Sequence, residues 1–133
     1  MMRHAITVAL LLASSAMAAK QPNVVVVLCD DLGYGDLACY GSPTVQTPHM
    51  DHFAGTGLRL TNCYAASANC SPARAGLLTG RYQERAGVPS VINADPKVPD
   101  HHRGLWPSEQ TFPKLLAKAG YASALFGKWH LGD

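Results

Sequence analysis

Asn23-Val24-Val25-Val26-Val27-Leu28-Cys29-Asp30-Asp31 decides the fold class. An unbroken β-branched run follows Pro22 and gives way to two acids. Continuous rather than alternating apolarity predicts a strand buried on both faces, as in a parallel α/β sheet. The acids, followed by Leu32-Gly33-Tyr34-Gly35-Asp36, place polar chemistry at the strand's carboxyl end, where open α/β sheets bind ligands.

The neighbouring segments extend the same pattern. Thr47 to Gly55 reads as a short helix, with Thr47 as N-cap, Pro48 as first helical residue and Gly55 as stop. Gly57 to Asn62 predicts a second strand. A further helix begins near Cys70 and runs to about Arg81. Gly87 to Gly104, rich in proline, reads as a long surface loop. Phe112 to Gly120 is an amphipathic helix capped by Thr111, with residues 112, 115, 116 and 119 on one face. Tyr121 to Phe126 predicts a last strand. Strand, helix, strand, helix, helix, strand is an α/β order. The sequence stops just past Gly127-Lys128-Trp129-His130-Leu131-Gly132 and reads as the front piece of a larger domain.

The sequence has 133 residues, 47% hydrophobic, and a formal net charge of +2. That charge is too small for a polyphosphate-binding surface, so no nucleic-acid partner is expected. The apolar content is globular rather than disordered. Part of it belongs to the first 18 residues: Arg3, then Ala5 to Ala13, then Ala16-Met17-Ala18, the order of a secretory signal cleaved after Ala18. That run is too short to span a bilayer, and no later one reaches spanning length. Residues 19–133 are therefore expected to be exported, secreted or periplasmic. Export permits disulfides among Cys29, Cys39, Cys63 and Cys70.

Two constellations carry chemistry. Adjacent carboxylates repel, so Asp30 and Asp31 at one strand end suggest a hard cation between them, Ca²⁺ or Mg²⁺. Solvated turn acids are the plain alternative. The second is Cys70-Ser71-Pro72-Ala73-Arg74, continuing to Leu78-Thr79-Gly80-Arg81. Pro72 fits a first helical turn, which sets Cys70 at the positive end of the helix dipole with Arg74 one turn later. Such a place stabilises sulfate or phosphate oxygens. The plain alternative is a half-cystine beside a helix.

The segment from Cys70 to Arg81 resembles the signature of the formylglycine-dependent sulfatases. Val27 to Asp36 and Gly120 to Gly132 resemble further blocks of that family, in the family's order. The resemblance implies the N-terminal part of an alkaline-phosphatase-like α/β sheet with flanking helices. It also implies that Cys70 is oxidised to formylglycine during export by a separate formylglycine-generating enzyme, which reads Pro72 and Arg74 in the still-unfolded chain. The aldehyde hydrates to a geminal diol. One hydroxyl attacks the substrate sulfur and expels the alcohol; deprotonation of the other releases sulfate and restores the aldehyde.

By the same resemblance, Asp30, Asp31 and the modified Cys70 are ligands of a Ca²⁺ ion. Arg74 holds the hydrated aldehyde, Lys128 contacts sulfate and nucleophile, and His130 hydrogen-bonds the diol and takes its proton. Cys70, Arg74, Lys128 and His130 are thus the catalytic set, with Lys128 and His130 also binding substrate. The family supplies further metal ligands, a histidine and a lysine from later in the chain, so these 133 residues are expected to be inactive alone. The substrate is a sulfate ester, with sulfated sugars expected for an exported enzyme.

The other readings are a phosphoester or phosphonate-ester hydrolase of the same superfamily, and a non-catalytic exported domain with disulfides. His49 and His52, and His101 and His102, lack a third ligand at metal spacing and read as surface residues. Trp106 and Trp129 read as packing residues.

Overall fold

The computed structural model describes residues 21–93, 95, 97–98 and 104–132. The signal segment and the His101-His102 pair lie outside them. Among the described residues there are three α-helices: α1 (Pro48–Thr56), α2 (Cys70–Thr79) and α3 (Phe112–Lys118). Short 3-10 turns occupy Tyr34–Asp36, Ala38–Tyr40 and Gln83–Ala86.

Each helix starts at the residue its sequence predicts. Thr47 is the N-cap position of α1, yet its hydroxyl does not cap the helix. Instead Thr47 Oγ1 donates to Asp51 Oδ1 at 2.9 Å and accepts the Ala38 N–H at 3.0 Å. Asp51 Oδ1 also accepts the Cys39 N–H at 2.8 Å, so α1 is tied to the turn before it. The helix passes the expected stop at Gly55 and ends at Gly57, whose N–H reaches the Phe53 carbonyl. α2 stops at Gly80, which takes the left-handed conformation at φ 65° and caps the Gly76 carbonyl. That is two residues short of the expected end. α3 ends at Lys118, short of the expected stop at Gly120, so Ala119 is its C-cap rather than part of its apolar face, and Leu115 is exposed.

The core is small and lies between α2 and the segments that follow it. Ala75, Ala86, Val88, Ile92 and Leu131 are buried together, with Leu78 and Leu105 packed against them. Val88 and Ile92 belong to the stretch expected to be a surface loop, so that expectation is corrected for its first half: two branched apolar side chains anchor it. Backbone bonds stitch this core across the chain. The Leu105 N–H donates to the Leu131 carbonyl at 2.9 Å, and the Val88 N–H to the Gln83 carbonyl at 3.0 Å. Gly104 permits the first approach, because a Cβ there would stand 2.6 Å from the Leu131 carbonyl oxygen.

The three expected strands are not formed among the described residues. Val24 to Leu28 alternates in exposure, 53, 83, 54, 79 and 50%, instead of being buried on both faces. Alternation is what an extended backbone gives, but a strand also needs a partner within ladder distance. Val24, Val25, Val26, Leu28 and Tyr121–Phe126 instead line one cavity of about 820 Å³ with Leu77, Leu78, Phe112 and Leu116. A β-branched run sets the dihedral angles; it does not supply the neighbour.

One ion pair braces the segment between the core and α3. Arg81 Nη1 contacts both oxygens of Glu109, at 2.8 and 2.9 Å, and the Glu109 side chain is buried while Arg81 is half exposed. Lys114 Nζ donates to the Glu109 carbonyl at 2.8 Å. Removing Arg81 strands a buried carboxylate, whereas neutralising Glu109 leaves a cation that water can solvate. Arg81→Met is therefore expected to lose about 3 kcal/mol of stability and Glu109→Gln about 1 kcal/mol. Urea unfolding of the two variants checks that order.

Candidate active site

Asp30 ends the first extended segment, Arg74 lies one turn into α2, and Lys128 sits in the last extended segment. The structure brings these three together. Lys128 Nζ donates to Asp30 Oδ2 at 2.7 Å, and Arg74 Nη2 to Asp30 Oδ1 at 3.1 Å. Arg74 Nη1 also donates to the Lys128 carbonyl at 2.8 Å. One carboxylate thus bridges two cations that would otherwise repel.

The electrostatics follow from those contacts. The hydrogen bond from Lys128, then that from Arg74, holds the Asp30 carboxyl below its ordinary value, against a smaller opposing effect of burial. The hydrogen bond to Asp30 raises Lys128, with desolvation opposing and the charges of Asp30 and Cys70 assisting. Cys70 lies one helical turn before Arg74, at the start of the same helix. Because Asp30 is depressed and Lys128 raised, their pairing is lost only as pH falls below the ordinary 3.8 of the acid or rises above the ordinary 10.5 of the amine.

Cys70 is the first residue of α2 and half-buried. Asn69, at the N-cap, makes no side-chain cap, so the leading N–H groups of the helix are left for a ligand. Arg74 is largely buried, and its Nε has no partner there. A buried donor without an acceptor beside a helix N-terminus suits a hydroxylated or anionic group on residue 70.

Asp31 and His130 share a different feature. Both adopt left-handed backbone, at φ 58° and 54°, which costs about 1–3 kcal/mol in a residue with a side chain. The His130 ring does not join the triad; its Nε2 lies 2.9 Å from the Ile92 carbonyl oxygen. Sequence reasoning missed Ile92 entirely, since a buried aliphatic residue in a proline-rich loop carries no chemical signal.

Metal chemistry fits in part. Asp30 and Asp31 are hard oxygen donors, the type that calcium takes in sets of about six to eight. Among the described residues no three His, Cys, Asp or Glu side chains converge on one point, so the acids are one side of a coordination shell. All four cysteines are free thiols, and burial, then Asp51, pushes the Cys39 thiol up. The two-disulfide arrangement is therefore not formed. His49 and His52 are exposed, as expected, while Trp106 packs so closely on Gly87 that a Cβ there would meet its indole nitrogen at 2.3 Å.

Residues 22–132 match the family model described as Sulfatase. The chain belongs to the sulfatase family. It is 46% identical over 124 residues to human (Homo sapiens) arylsulfatase A, covering 92% of this chain and 24% of that protein. It is 46% identical to human steryl-sulfatase (86% and 20% covered) and 47% identical to human N-acetylgalactosamine-6-sulfatase (86% and 23%). A solved sulfatase described with the metabolism of multiple glycosaminoglycans by Bacteroides thetaiotaomicron superposes with a TM-score of 0.74 at 41% identity, covering 86% of this chain and 23% of its own. The chain thus spans about a quarter or less of the sulfatases it matches.

Lys128→Met removes the first cause of the depressed Asp30 carboxyl. Its titration, followed by carboxyl carbon NMR, is expected to move up toward 3.8, with Arg74 preventing full return. An unmoved or lowered value contradicts the bridged arrangement.

Proposed function

We propose that this chain is the nucleophile-bearing part of an exported sulfuric-ester hydrolase that acts on sulfated sugars, built on an alkaline-phosphatase-like sheet in the whole protein. The observation that carries the reading is the Asp30–Arg74–Lys128 triad assembled beside Cys70 from three distant segments. Sulfate esters carry negative charge that must be held while the S–O bond breaks, and a guanidinium and an ammonium fixed on one carboxylate provide for that.

In this reading Cys70 is the precursor of formylglycine, made by a formylglycine-generating enzyme. Asp30, Asp31 and the modified residue 70 would hold Ca²⁺. Together these groups supply a hydrated aldehyde as nucleophile and a Lewis acid for sulfuryl oxygens. The chain's own residues do the rest. Lys128, kept protonated by Asp30, binds sulfate oxygen. Arg74 offers its unpartnered Nε to residue 70. His130 is the base that accepts a proton from the nucleophile's side. Among the described residues no helix is long and apolar enough to cross a membrane, and the leading segment supports export. Sugar specificity is supported by the likeness to N-acetylgalactosamine-6-sulfatase and to the neighbour described with glycosaminoglycans.

Protein matured in a host with the modifying enzyme is expected to show, in the peptide containing residue 70, one sulfur and two hydrogens replaced by one oxygen. An ordinary thiol in that peptide, from a host that converts other sulfatases, sinks the proposal. In the whole protein, His130→Ala is expected to lower kcat on an aryl sulfate by about 100- to 10,000-fold. There, chelation is expected to abolish turnover and added calcium to restore it.

A further inference from the structure

We propose that Ser71 and the Ile92 peptide form a positioning relay that fixes His130 in one tautomer, with the proton on Nε2 and Nδ1 bare. The inference deepens the sulfatase reading only in what that bare nitrogen is used for; the tautomer stands on contacts alone. A carbonyl oxygen only accepts, so the 2.9 Å contact between His130 Nε2 and the Ile92 oxygen requires Nε2 to donate. In the neutral ring Nδ1 is then the acceptor. That nitrogen is buried and has no hydrogen-bond partner among the described residues. A buried, empty acceptor on a ring whose other nitrogen is engaged is poised to receive a proton.

The Ile92 peptide is itself held from the opposite side. Its N–H donates to Ser71 Oγ at 3.1 Å, and Ser71 is fully buried. Ser71 adjoins Cys70, so the residue beside the candidate nucleophile sets the peptide that sets the candidate base. The Ile92 side chain lies in the core with Leu131, which follows His130 directly. The left-handed backbone of His130 is thereby secured on two sides: its ring by Ile92, and its neighbour Leu131 by burial and by the Leu105 N–H. Serine in the motif thus acquires a role that spacing alone does not give. It touches no reacting atom and acts only through Ile92 and His130.

The test uses the protein labelled with ¹⁵N-histidine, with His130→Gln assigning the His130 signals. Long-range proton–nitrogen correlation, at a pH where the ring is neutral, is expected to show a protonated Nε2 and an imine-type Nδ1. The reverse tautomer, or an averaged pair, overturns the proposal. The Ile92 amide is expected to exchange slowly; exchange at the rate of an open loop overturns it as well. Neither measurement needs a Ser71 variant, so both decide even if Ser71→Ala fails to fold. Where Ser71→Ala folds, the ring is expected to show averaged tautomers, with Ile92 protection, and in the whole protein kcat on an aryl sulfate, each falling about tenfold at unchanged KM. Ser71→Thr is expected to restore all three, since it keeps the hydroxyl. A single unmixed tautomer in Ser71→Ala refutes the relay. The expected spectra together with an unconverted thiol at residue 70, in protein from a host that converts other sulfatases, refute the sulfatase reading and support the relay.

Discussion

One carboxylate, that of Asp30, determines where the candidate active site is. It takes an ammonium from 98 residues away and a guanidinium from 44 residues away, one on each oxygen. Asp30 and Lys128 are open to solvent, which screens their attraction, so the importance of these pairs is placement rather than stability. Without the anion, Arg74 and Lys128 would be like charges side by side. With it, the tips of two extended segments and the first turn of α2 are held in one location, and the Arg74 bond to the Lys128 carbonyl fixes their separation.

Stability comes from elsewhere, and from close by. Two of the five residues in the buried cluster adjoin the site in sequence: Ala75 next to Arg74, Leu131 next to His130. Packing these positions sets the directions of their polar neighbours. It also explains how a side-chain-bearing residue at position 130 keeps a left-handed backbone, since the burial of Leu131 and its bond from Leu105 offset that cost. Chemistry and core are two faces of the same short segments.

The sequence made the local features legible and the paired ones obscure. Proline at the first turns of α1 and α2, threonine before α1 and α3, and glycine after α2 are signals carried by single residues, and all three helices begin where they indicate. Cys70 and Arg74 were legible for the same reason, because a helix turn sets their spacing. Sheet formation was not, because Val24 to Leu28 prescribes an extended backbone and says nothing of what lies beside it. Ile92 was invisible in another way: its contribution is a peptide group, which every residue has. Thr47 shows the intermediate case, a capping residue by type whose hydroxyl is drawn instead to Asp51 and Ala38.

Burial of the motif orders events in time. Ser71 and Pro72 are sealed in the fold and Arg74 nearly so, leaving little of this stretch for another macromolecule to grip. Any catalyst that identifies residue 70 by those flanking side chains must therefore win a race against collapse of the chain around α2. A substitution that merely hastened folding would then leave more molecules permanently without their reactive group, stable yet inert.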